Sequence, residues 1–199
     1  MKLQKYIAEL LGAFTLTLAV ALSLISPGAV PTPVIAALVV GLFVYTVGAI
    51  SGAHFNPAVT IALATVKKIS WSDALIYILM QLVGAELAMT LPQWLTGNAI
   101  SLSPNNDLMT GAAEALGAFF LVFGISAVIH ENTEKGTSGL VIGGSLLLGI
   151  LIASGASHGI LNPAVAVGLG SISVAYMLGP IVGGLLAAWV YKYLASKQK

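Results

Sequence analysis

The sequence predicts an all-α polytopic membrane protein: six transmembrane helices and two re-entrant half-helices in an inverted repeat, within one domain of residues 1–199. Three features predict it. The first is composition. Apolar residues make up 58% of the chain and charged residues 8%, against about 25% charged in an ordinary soluble domain; the mean hydropathy is +0.99. The second is a set of six apolar runs close to bilayer length. The third is a pair of short motifs that recur in the same order at nearly the same spacing.

The composition also excludes several function classes. A soluble enzyme and a disordered chain do not fit it, and a net charge of +1 provides no basic field for nucleic acid. With no cysteine, neither a disulfide framework nor a thiolate metal site exists. The histidines His54, His130 and His158 are dispersed. No metal-ligand cluster, nucleophile–base pair or phosphate loop is present, so neither enzyme activity nor a cofactor is expected.

Crossing a hydrocarbon core of about 30 Å takes about 20 apolar residues at about 1.5 Å each. The runs lie near residues 6–25, 33–50, 71–91, 111–129, 139–156 and 173–194. The breaks between them hold turn formers: Ser26-Pro27-Gly28 up to Pro33, then Gly97, Asn98, Pro104, Asn105, Asn106 and Asp107, then Glu131, Glu134, Lys135 and Gly136. Backbone polar groups need internal partners in lipid, so these runs are helices. The period-two alternation of a barrel is absent. Lys2 and Lys5 ahead of an apolar run resemble a signal peptide. Glu9 inside that run, and the run's recurrence later in the chain, make it the first span instead.

The lysines set the expected orientation. All eight basic residues are lysine, and arginine is absent. With six spans, Lys2, Lys5, Lys67, Lys68, Lys135, Lys192, Lys197 and Lys199 all fall on one face. The positive-inside rule makes that face cytoplasmic, together with both termini. An odd number of spans would split the set. The expectation is an integral protein of the plasma (inner) membrane.

The chain resembles itself. Ala8-Glu9-Leu10-Leu11-Gly12-Ala13-Phe14 matches Ala113-Glu114-Ala115-Leu116-Gly117-Ala118-Phe119, at an offset of 105. Asn56-Pro57-Ala58-Val59 matches Asn162-Pro163-Ala164-Val165, at an offset of 106. The repeats cover about 1–92 and about 108–199. Each holds three spans, an odd number, so the second enters the membrane from the opposite side.

The residues after each Asn-Pro-Ala are apolar but too few to span. Asparagine is a good N-cap, and proline suits the first helical position because its missing N–H is not needed there. Each motif therefore starts a half-length helix. Inversion brings the two starts together near the midplane, where non-helical backbone is tolerated only beside protein or a water-filled cavity. A pore follows.

These motifs are similar to those of the aquaporin, or major intrinsic protein, family. Ser51-Gly52-Ala53-His54-Phe55-Asn56-Pro57-Ala58-Val59-Thr60 resembles its first signature. Gln81 with Gly84-Ala85 resembles its third helix, and Gly179-Pro180 with Gly183-Gly184 its sixth. The resemblance covers the whole chain. It implies a homotetramer in the lipid bilayer with one pore per subunit, passing water and small neutral solutes. It also implies that Glu9 and Glu114 accept hydrogen bonds from the re-entrant loops and brace them.

Each half-helix N-terminus carries up to about half a positive charge, which repels cations at mid-membrane. The amides of Asn56 and Asn162 donate to a passing oxygen and, as in the family, interrupt a proton wire. By spacing, the pore carbonyls belong to Gly52, Ala53 and His54 on one side and His158, Gly159 and Ile160 on the other. They replace hydration for a neutral polar solute.

The chain departs from the family at one position. Most water-selective members place arginine three residues after the second asparagine, and here that residue is Val165. Motif spacing adds Gly159 to the constriction, and spacing alone adds Ile150 and Ala36. The set Ala36, Ile150, Gly159 and Val165 is wholly apolar. It lacks a fixed charge and several donors; if narrow it dewets, and if wide it passes larger neutral solutes such as glycerol. A passive channel for water and small uncharged solutes is the main expectation. An ion or proton leak through the same fold is a second, and a structural or adhesion role with a closed pore a third. A secondary transporter would need more polar groups at midplane than the chain holds. Glu86 has no partner in the repeat, and a vestibule, a subunit interface and a headgroup all suit it.

Overall fold

The computed structural model describes residues 2–196; Lys197 and Lys199 lie outside them. Every regular element among the described residues is helical. The first repeat holds α1 (Lys2–Ile25), α2 (Thr32–Ser51), the half-helix α3 (Pro57–Thr65), α4 (Trp71–Ala88) and a short α5 (Thr90–Thr96). The second holds α6 (Leu108–Ile129), α7 (Ser138–Ala153), the half-helix α8 (Pro163–Gly168) and α9 (Val174–Ser196).

Two spans differ from the sequence expectation. The third breaks at Met89, and α5 continues it to Thr96. Pro92 explains the break, because its ring collides with the carbonyl four residues earlier, that of Ala88. The fifth, α7, has only 16 residues, a length of about 24 Å. Its chain passes through turns at Ala156 and Ser157, both bonded to the Ala153 carbonyl, directly into the second re-entrant loop. Among the described residues, five helical stretches are long and apolar enough to cross a membrane, with α4 and α5 counted as one.

The two repeats pack alike. α1 lies on α2 and α4, and α6 on α7 and α9. Each half-helix then crosses over: α3 packs on α9, and α8 on α4. The crossings need small residues. Gly84 lies against the backbone of Leu10, and Gly183 against that of Ala115, the same contact made once in each repeat. The outer faces carry large exposed apolar side chains, among them Leu38, Leu79, Leu140 and Leu151, as lipid contact requires. Asp107 caps α6 by accepting from the Thr110 N–H at 2.8 Å and its hydroxyl at 2.9 Å. Those bonds hold its carboxyl below the usual carboxylate range.

Candidate functional site

The half-helices start where their asparagines cap them. Asn56 Oδ1 accepts from Ala58 N at 2.8 Å, and Asn162 Oδ1 from Ala164 N at 3.0 Å. The side-chain N–H groups reach across the pseudo-symmetry axis. Asn56 Nδ2 donates to the Leu161 carbonyl at 2.8 Å, and Asn162 Nδ2 to the Phe55 carbonyl at 2.9 Å. Each amide thus spends one hydrogen on the other loop and keeps one.

The loops are strained and held. Ala53, Phe55 and Leu161 sit at φ of 54°, 49° and 55° without being glycine, conformations that persist only where the surroundings fix them. The buried carboxylates fix them here. Glu9 accepts from the Ser51 hydroxyl at 2.7 Å, His54 N at 3.0 Å, Phe55 N at 2.7 Å and Gln81 Nε2 at 2.8 Å. Glu114 accepts from the Ser157 hydroxyl at 2.8 Å, Ile160 N at 2.9 Å and Leu161 N at 2.6 Å. Both carboxylates are fully buried, so these donors are their whole compensation for lost water.

Several residues with no role expected from the sequence support the loops. Ser51 and Ser157, 106 apart, each also take a loop N–H, from Ala53 and Gly159. Tyr77 donates to the Ser51 carbonyl at 2.7 Å, and Tyr176 accepts from His158 N at 3.0 Å. Gln81 donates further to Thr60 at 3.0 Å. The serine pair and the tyrosine pair were readable, because they obey the repeat. Gln81 was not, because its counterpart 99 residues on is Pro180.

A cavity of about 300 Å³ lies within the bundle beside the two asparagines. It is lined by Ala36, Ile150, Gly159 and Val165, and by Ala53, His54, His158 and Ile160. Among the described residues, no carboxylate or ammonium lines it. Gly52 lies outside it, in a second hollow of about 460 Å³ on the lysine-bearing face, and His54 borders both spaces. Pro57, Ala58, Pro163 and Ala164 are buried in the half-helices and form no part of the cavity wall. Val59 and Leu169 line the wall further along the half-helix segments, Leu169 as the C-cap of α8. At the mouth away from the lysines, Leu102 joins the wall, held by its N–H on the Leu169 carbonyl at 2.8 Å. Glu86 is exposed on the outside of α4 and lines neither space.

Such a wall suits a small neutral solute. It offers acceptor and donor groups at the two asparagines and the loops before them, apolar surface elsewhere, and no charge to hold an ion. Known proteins resemble the chain over almost its whole length. The family model described as major intrinsic protein matches residues 1–191. Aquaporin NIP1-1 of Zea mays is 35% identical over 216 residues, covering 99% of this chain and 77% of that one. Nodulin-26 of Glycine max is 36% identical over 219 residues, covering 99% and 80%. The X-ray structure of the aquaglyceroporin from Plasmodium falciparum superposes with a TM-score of 0.73 at 22% identity, covering 99% and 96%.

Proposed function

The chain belongs to the major intrinsic protein family, whose members are membrane channels rather than enzymes, and from that premise we propose that it passes water and small uncharged solutes such as glycerol along the cavity between α3 and α8. The observation that carries this reading is the uncharged cavity wall that Asn56 and Asn162 line. A solute there meets the remaining N–H of each amide, while the two half-helix N-termini oppose cations. The carbonyls of residues 53–54 and 158–160 serve as acceptors on either side, and that of Gly52 serves in the adjoining hollow. Glu9 and Glu114 act by holding those loops. The constriction of Ala36, Ile150, Gly159 and Val165 admits solutes with apolar faces, because nothing in it binds water strongly.

The single domain of residues 1–199 functions as one pore, and the family resemblance supports a homotetramer. The lysines support a cytoplasmic face bearing both termini in the plasma membrane. Purified protein in lipid vesicles tests the reading by light scattering. An osmotic shock with sucrose is expected to shrink protein-bearing vesicles faster than empty ones. A shock with glycerol is expected to be followed by re-swelling. Rates equal to those of empty vesicles in both would overturn it.

A second reading rests on Val165. Without a fixed cation at that position, ions or protons leak through the same path. A pH-sensitive dye inside the vesicles tests it: acidification under an imposed voltage supports the leak, and a steady signal refutes it.

A further inference from the structure

The inverted repeat builds both mouths with the same turn, and only one of those turns carries a charge. Each half-helix is followed, one residue past its C-cap, by a residue in the left-handed region: Lys67 at φ 64° and Gly170 at φ 75°. The next N–H then bonds back into the helix. Lys68 N reaches the Leu63 carbonyl at 2.9 Å, and Ser171 N reaches the Ala166 carbonyl at 2.8 Å. Lys67 N likewise meets the Ala64 carbonyl at 3.1 Å, and Gly170 N the Val167 carbonyl at 3.0 Å. Lys68 and Ser171 are therefore equivalent positions of the repeat. Ser171 is uncharged and fully buried, whereas Lys68 is exposed and lines the hollow on the lysine-bearing face.

That hollow adjoins the pore cavity, and His54 borders both. Its other charged groups are Lys5 and Asp73, which pair at 2.8 Å and cancel. Lys68 makes no ion pair among the described residues. Among the described residues it is the one charged group without an ion-pair partner in the walls of the pore and of this hollow. The opposite mouth, with Leu102, Leu169 and Val165, has none.

We propose that Lys68 is a specificity-determining residue that keeps cations out at the lysine-bearing mouth, on the side away from the constriction that lacks a charge. A cleft of one sign lowers the local concentration of like-charged ions. The turn at Lys67 fixes the backbone that presents the ammonium. This inference rests on the channel reading above.

The test measures potassium release from vesicles loaded with potassium chloride, alongside water flux in the same preparation. Lys68→Glu is expected to raise potassium release on the order of tenfold over wild type at about 0.01 M salt. The difference should fade toward about 1 M, as the screening length falls from about 30 Å to about 3 Å. Lys68→Gln should fall between the two, and Lys68→Arg should match wild type. Such an order follows charge, which a merely structural role of the turn would not. Water flux above that of empty vesicles with equal potassium release in all four proteins overturns the inference and leaves the channel standing. No water flux in wild type overturns both.

Discussion

Asn56 and Asn162 each donate a side-chain hydrogen bond to the loop that precedes the other, at 2.8 Å to Leu161 and 2.9 Å to Phe55. The two half-helices are therefore locked as a pair, and each asparagine caps one helix while fixing the approach to the other. Asn162→Ala removes a cap and this cross-link together. The expected loss of stability is roughly 2 kcal/mol, about 1 from each, read as a lower midpoint of thermal unfolding in detergent. A midpoint equal to wild type would show that the cross-link contributes nothing.

Glu114 meets three donors and has no other route to satisfy them. Glu114→Gln replaces one acceptor oxygen with a donor, so one buried N–H loses its partner, at about 1–3 kcal/mol. Glu114→Ala strands all three and is expected to yield little monodisperse protein on size-exclusion chromatography. Equal yields of the two variants would contradict the bracing role.

Val165 faces the cavity together with Ile150, Gly159 and Ala36. Val165→Arg inserts a long planar cation where a small apolar side chain stood. Glycerol re-swelling is expected to slow more than sucrose-driven shrinkage does. An unchanged glycerol rate would remove Val165 from the constriction.

Two glycines predict opposite signs. A Cβ on Gly183 would collide with the Ala115 carbonyl, where backbone meets backbone, while one on Gly144 would meet nothing within 4 Å. Gly183→Ala is expected to destabilise by about 1–3 kcal/mol through overpacking. Gly144→Ala should leave stability unchanged or raise it by up to about 1 kcal/mol, the helix-propensity difference. Thermal unfolding of the pair decides, and the reverse order would mean that the α6–α9 crossing is misplaced.

The sequence by itself determined the six spans, the duplication and the two half-helices. Each rests on local chemistry: apolar length for a span, and asparagine followed by proline for a helix start. Where the length was marginal, as in α7, only the boundary moved, and at Met89 Pro92 broke the third span in two. Tertiary structure decided which groups meet. Nothing near Glu9 in the chain announces that His54, Phe55 and Gln81 will satisfy it, or that the Asn56 amide will be half-spent on Leu161. Those partners lie 45 to 105 residues away, and they meet because loops entering from opposite faces must settle every buried polar group where they join. The same reason separates Glu86 from Glu9. Both are acids within apolar spans, but one turns to the loops and the other turns outward, a difference set by how α4 packs rather than by its composition.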